Sequence, residues 1–191
     1  MPRQLFEHTF VDRLAELLQT HRLPTRCIEI ELTESVLQTG PATIDALRRL
    51  RALGVAIALD DFGTGYSSLS SLEQLPLTRI KLDRSLIARI DISPRSAAIA
   101  HAIIGMCQAL GLEITAEGIE RPEQFAMLLG HRGMYLQGYL LAHPTSRDEL
   151  IPVMANVAQR AQQLLLESQL ERPSNVLELP PSSFRKLSDA G

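Results

Sequence analysis

Ile57-Ala58-Leu59-Asp60-Asp61-Phe62-Gly63-Thr64-Gly65 decides how this chain is read. A short apolar run bounded by turn residues has the pattern of a buried strand. Here it runs into two adjacent carboxylates and then a Gly-x-Gly turn. One Asp after a strand is most simply a turn cap. A pair at the mouth of a strand is costly to bury unless something pairs with it, and a divalent cation with oxygen ligands is one such partner.

The same pattern recurs outward from this stretch. Upstream, Phe10, Leu14, Leu17 and Leu18 are spaced for one helix face, and Cys27 to Leu32 alternates as a strand ending near Glu31. Pro41 opens a helix with Ile44, Leu47 and Leu50 on one face, capped at Gly54, and Val55 to Leu59 is the strand that reaches Asp60. Downstream, Ser67 to Leu75 suits a short helix, and Arg79 to Asp83 a strand. Arg95 to Leu110 reads as a helix with Ile99, Ile103, Met106 and Leu110 inward. Leu112 to Ala116 is a strand ending in Glu117, Pro122 starts a helix, and Met134 to Leu136 is a last strand before Gln137. Strands alternating with helices indicate a parallel sheet with helical crossovers. Residues 1–145 form this α/β unit. Residues 146–171 are expected to be a C-terminal helix with Leu150, Val153, Met154, Val157, Ala161, Leu164 and Leu165 as its stripe. Residues 172–191, rich in Pro and Ser, read as a flexible tail.

Composition narrows the function. The chain has 191 residues, 45% hydrophobic, with a net charge of −3 and only 4% aromatics without Trp. A nucleic-acid polymer would call for a basic patch or base-stacking aromatics, so neither that nor a membrane contact by this segment is expected. Cys27 and Cys107 lie among apolar residues and suggest reduced core thiols, in keeping with a cytoplasmic setting for this segment, whatever anchors a longer parent protein. The five histidines show no zinc spacing, and no nucleophile elbow is present. Gly63-Thr64-Gly65 resembles part of a dinucleotide fingerprint, but Ser68 stands at the third glycine and the preceding acids would repel a pyrophosphate.

Successive strand ends thus carry Glu31, Asp60 and Asp61, Lys81 and Asp83, Glu117, and Gln137. In a parallel β/α barrel these ends share one rim, where active sites are built. An acidic ring suits Mg²⁺ or Mn²⁺, and two such ions suit phosphodiester hydrolysis. Lys81 could hold a water, or serve as a salt-bridge partner for the acids.

Glu31-Leu32-Thr33-Glu34-Ser35, Asp60 to Leu69, Lys81-Leu82-Asp83, Glu117-Gly118-Ile119-Glu120 and Gln137-Gly138-Tyr139 occur in this order. The set resembles the EAL domain, the bacterial phosphodiesterase that linearises cyclic di-GMP. The resemblance implies a modified TIM barrel with two divalent metals, Mg²⁺ or Mn²⁺. It implies Glu31, Asp60, Asp61 and Glu117 as metal ligands, with Lys81 positioning the catalytic water and Glu117 as general base or metal-centre carboxylate. Glu120, Gln137 and Asp83 would complete the substrate shell, and Glu34 would steady the loop carrying Gly63, Thr64 and Gly65. The Glu-Ala-Leu motif and an Asn-containing strand are missing upstream, and Arg132-Gly133-Met134 stands where the family has Gly-Cys-Asp. The barrel is therefore expected to be incomplete, lacking its first two strands. An incomplete barrel suits a homodimer or other domains of a longer parent protein. The alternative activity is a non-catalytic cyclic di-GMP-binding or dimerising module.

Overall fold

The computed structural model describes residues 9–34, 40–63, 65 and 69–170. Five strands, β1 (Glu29–Thr33), β2 (Ala56–Phe62), β3 (Arg79–Leu82), β4 (Glu113–Ala116) and β5 (Met134–Leu136), pair in the order β1-β2-β3-β4-β5. Every pair is parallel. Parallel neighbours need crossovers. These are α2 (Pro41–Ala52), α3 (Leu69–Gln74), α4 (Arg84–Ile87) with α5 (Pro94–Ala109), and α6 (Pro122–Leu128). Helix α1 (Phe10–Thr20) precedes the sheet and α7 (Leu150–Leu170) follows it. This is an α/β fold, a parallel sheet walled by helices. The tail expected at 172–191 lies outside the described residues.

The two sheet faces differ sharply. Ile57 and Leu59, Ile80 and Leu82, and Ile114 and Ala116 are fully buried with Leu47 and Leu50 of α2, Ile87 of α4, Ile104 and Cys107 of α5 and Leu128 of α6. Each such large side chain contributes about 1.5–3 kcal/mol by leaving water. The alternate residues, Glu29, Glu31, Asp60, Arg79, Lys81 and Glu113, occupy the other face, which is charged. Period-2 alternation therefore sorts core from chemistry along every strand.

Three expectations need correction. Helix α5 buries Ala100, Ile104 and Cys107, whereas Ile99 and Leu110 are exposed. Its first turns carry Ala and Ile all round, so spacing alone could not select the buried face. Leu164 and not Leu165 is the buried anchor of α7, and Leu150 and Met154 face outward, as does Leu17 on α1. Cys27 is exposed, while Cys107 is buried and its thiol pushed up to about 11 by desolvation.

Candidate active site

Strand β2 does not end before the acids, as the sequence suggested; it runs through them to Phe62. Leu59 pairs with Ile80 and Phe62 with Leu82, so Asp60 and Asp61 together oppose the single residue Lys81. This is a β-bulge. Asp61 takes up the irregularity with a φ of 55°, left-handed backbone that Asp tolerates better than most residues. The extra residue returns Phe62 to the apolar face, where it is buried, and leaves both acids at the strand mouth.

Lys81 is the centre of the rim. Its Nζ lies 3.0 Å from Glu31 Oε1, 2.9 Å from Asp60 Oδ1 and 3.0 Å from Glu117 Oε1. Four chain segments are thereby joined: strands β1, β2 and β3, with Glu31 at the middle of β1, and the residue after β4. The Lys81 side chain is 12% exposed. Burial opposes its charge, but the carboxylates of Asp60, Glu117 and Glu31 beside it outweigh that and raise its pKa well above the ordinary lysine range. Lys81 is therefore an ammonium at neutral pH, a donor and not a base.

The acids around it have the hard oxygen donors that Mg²⁺, Mn²⁺ or Ca²⁺ prefer. Asp60 Oδ1 is buried and meets no donor in hydrogen-bond geometry, the nearby ammonium being an ion-pair contact only. Among the described residues, however, no three acids, histidines or cysteines form a ready-made cation cage. The ammonium stands between the carboxylates instead.

The segment after β4 is held by Gly138, which the sequence marked only as part of a motif, and by Gln124, which it did not single out. Gly138 packs directly on the Ile119 backbone: a Cβ there would sit 2.7 Å from the Ile119 carbonyl carbon and closer still to its oxygen and nitrogen. The Gln137 carbonyl accepts from Ile119 N–H at 3.1 Å, and Leu140 N–H donates to the Ile119 carbonyl at 3.0 Å. On the other side, the buried Gln124 Oε1 accepts from the backbone N–H of Glu120 at 2.9 Å and of Arg121 at 3.0 Å. Gln three residues after a helix start is the signal that could have revealed it. Gln124→Leu leaves two donors unpaired and is expected to cost about 2–3 kcal/mol, read as a lowered urea midpoint at unchanged m-value.

Arg121 also clamps Asp91 through two nitrogens at 2.8 and 2.6 Å, and Asp91 is nearly buried. The Arg121 hydrogen bonds hold the Asp91 carboxyl below the usual carboxylate range. A carboxyl lowered on folding adds stability above its unfolded pKa, about 4. It loses that stability as pH falls through the folded value. The Asp91 contribution is thus full at neutral pH and fades below about pH 4. Asp91→Asn is expected to flatten the acid limb of a denaturation-against-pH curve and leave its shape near pH 7 unchanged.

A cleft of about 410 Å³ opens beside Glu117, lined also by Arg84, Glu120, Gln137, Tyr139 and His143. Glu120 pairs with Arg84 at 3.5 Å, and Tyr139 stacks on His143 with centroids 4.2 Å apart. Asp83 turns away to cap α4, accepting Ser85 N–H at 2.8 Å. Glu34 Oε1 accepts the Gly63 N–H at 2.8 Å, and Gly63 has a φ of 106°, which suits glycine alone. Gly65 lies against Glu34, where a Cβ would collide with its carboxylate. Thr64 lies outside the described residues. The rim thus gathers Glu31, Asp60, Lys81 and Glu117, with Gln137 and Glu120 across the cleft, while Asp83 and Glu34 serve the neighbouring backbone.

Comparison with known proteins places this geometry. Residues 1–144 match the EAL domain family. The chain is 45% identical over 137 residues to the cyclic di-GMP phosphodiesterase NbdA of Pseudomonas aeruginosa, covering 71% of this chain and 18% of NbdA. The solved EAL domain of Mycobacterium smegmatis DcpA is 37% identical with a TM-score of 0.74, over 80% of this chain and 69% of that one. Klebsiella pneumoniae BlrP1, solved as a manganese and cyclic di-GMP complex, is 34% identical with a TM-score of 0.67, over 73% of this chain and 36% of BlrP1. The chain spans 18–38% of the length of the first curated relatives it matches. On this match, and on a parallel sheet that brings the matching motifs to one rim, the chain belongs to the EAL domain family.

Proposed function

We propose that this chain binds cyclic di-GMP at the Lys81 rim and hydrolyses one of its phosphodiesters to the linear dinucleotide, in bacterial second-messenger signalling. The observation that carries the reading is the convergence of Glu31, Asp60 and Glu117 on one ammonium at the strand ends. The relatives named cyclic di-GMP phosphodiesterases support it. Glu31, Asp60, Asp61 and Glu117 would hold Mg²⁺ or Mn²⁺, which when bound supplies water activation and neutralises phosphate charge. BlrP1 complexes carrying calcium or manganese support a divalent cation.

The chain's own groups divide the remaining work. Lys81, fixed as an ammonium, orients the attacking water or a phosphoryl oxygen by donating to it. Glu117, on the wall of the cleft, takes the water proton as the new P–O bond forms. The ester P–O bond to the leaving ribose oxygen then breaks, and that oxygen takes the proton that Glu117 had accepted. Gln137, Glu120 and Arg84 line the space for the nucleotide.

Binding without turnover is a second reading, favoured by the lack of a ready-made cation cage among the described residues. Chromatography of cyclic di-GMP incubated with the chain and Mn²⁺ or Mg²⁺ separates the two. The linear dinucleotide, abolished by chelator, is expected; binding by calorimetry with no product selects the second reading. Among the described residues β1 and β5 each pair on one side only. Such edges suit further strands from a longer parent chain or from a second copy. Sedimentation as a compact monomer would count against the second copy.

A further inference from the structure

The charged sheet face carries a second cluster below the rim, two residues before Glu31 on β1 and Lys81 on β3 and four before Glu117 beyond β4. Arg79 Nη2 lies 2.6 Å from Glu113 Oε2 on β4, and Nη1 lies 3.3 Å from Glu29 Oε1 on β1. Reaching β1 from β3 means crossing β2, two inter-strand spacings or about 10 Å. Strand β2 places Ala56 beside Glu29 and Ala58 beside Arg79, so no side chain blocks the path. The guanidinium also lies 4.4 Å from the ring centroid of Tyr135 on β5, and the Tyr135 hydroxyl lies 3.2 Å from Glu113 Oε1. One side chain on β3 thus touches β1, β4 and β5. Its Nε is buried with no hydrogen-bond partner among the described residues, so the fork is held by its two terminal nitrogens and the ring.

The residues that follow are the rim: Glu29 leads to Glu31, Arg79 to Lys81, and Glu113 through Thr115 to Glu117. Two strand residues span about 6.6 Å, too far for Arg79 to touch the reacting atoms. A parallel strand that slides along its neighbour carries every side chain with it. We infer that Arg79 is a positioning residue for Lys81: by tying β1 and β4 to β3 from below, it fixes the heights at which Glu31 and Glu117 meet the ammonium. An isolated surface ion pair would contribute little. Here the Arg79 side chain is 23% exposed, and its guanidinium pairs with two carboxylates from different strands and stacks on a ring from a third. That the positioned group is catalytic rests on the function proposed above; the positioning itself does not.

The chain suits a direct test because its only lysines are Lys81 and Lys186. In protein labelled with ¹⁵N-lysine, the ammonium groups give two NMR signals, assigned with Lys186→Arg. The Lys81 signal, held by three carboxylates, is expected to exchange slowly with water. Arg79→Met is expected to retain the far-UV circular dichroism of the parent and to speed Lys81 exchange at least fivefold. Arg79→Lys, which keeps the charge but not the fork, should fall between. Glu29→Gln, which loosens β1 alone, should speed exchange about twofold. An unchanged Lys81 signal in folded Arg79→Met, even with a lower melting temperature, overturns the inference. If Arg79→Met does not fold, Glu29→Gln decides by the same readout. The signal needs neither metal nor nucleotide, so absence of hydrolysis leaves this result standing.

Discussion

Lys81→Met is expected to lower hydrolysis of cyclic di-GMP by about 10²–10³-fold, the range seen when one preorganised donor to a reacting oxygen is removed. The loss should fall on kcat more than on KM, because the ammonium sits among the carboxylates and away from most of the cleft wall. Methionine keeps the length and apolar stem of lysine, so packing changes little. What changes is that Glu31, Asp60 and Glu117 face one another without their shared cation. Asp60 and Glu117 are only 24% and 20% exposed, so a stability loss of about 2 kcal/mol is expected as well, below the value for a fully buried pair. Lys81→Arg keeps the charge, but a planar fork does not reproduce three short contacts to a point charge. It should recover much of the stability and little of the turnover. Full activity in Lys81→Met would remove the lysine from the mechanism.

Among the described glycines, Gly138→Ala should be the most damaging substitution. Its Cβ would enter the Ile119 peptide group, and both partners are backbone, so no side chain can swing away. The two segments must part, breaking the hydrogen bonds that Ile119 makes to Gln137 and Leu140. A cost of about 3 kcal/mol or more is expected. Because Glu117 and Glu120 flank Ile119, activity should fall further than stability accounts for. A crystal structure or amide-exchange map should locate the disturbance in residues 117–121 and 137–140. Wild-type protection there in Gly138→Ala would mean that the Gly138 and Ile119 backbones do not meet so closely.

Much of the fold was legible because each strand alternates cleanly or ends on a turn residue. Ile30 and Leu32, Ile80 and Leu82, and Ile114 and Ala116 mark one sheet face and leave the charged residues on the other. The rim acids could be listed for the same reason. What could not be read depends on pairing between distant segments. The bulge at Asp60 and Asp61 exists only relative to β3, so the strand seemed to stop at Leu59. Arg79, Glu29 and Glu113 are each unremarkable polar strand residues until register brings them together. The buried side of α5 was hidden by its surplus of apolar residues. Asp83 sits beside Lys81 in sequence, yet its carboxylate serves Ser85 N–H, a local competition that spacing alone does not reveal.

Hydrolysis of cyclic di-GMP at the carboxylates around Lys81, as proposed, is expected to depend on Asp60. The most direct test compares the linear dinucleotide produced by the wild-type chain and by Asp60→Asn, with Mn²⁺ and at equal folded concentration. Asp60→Asn removes one negative charge beside Lys81 and keeps the shape. Product is expected from the wild type, with a loss of at least about 100-fold in the variant. Equal product from both would contradict that dependence.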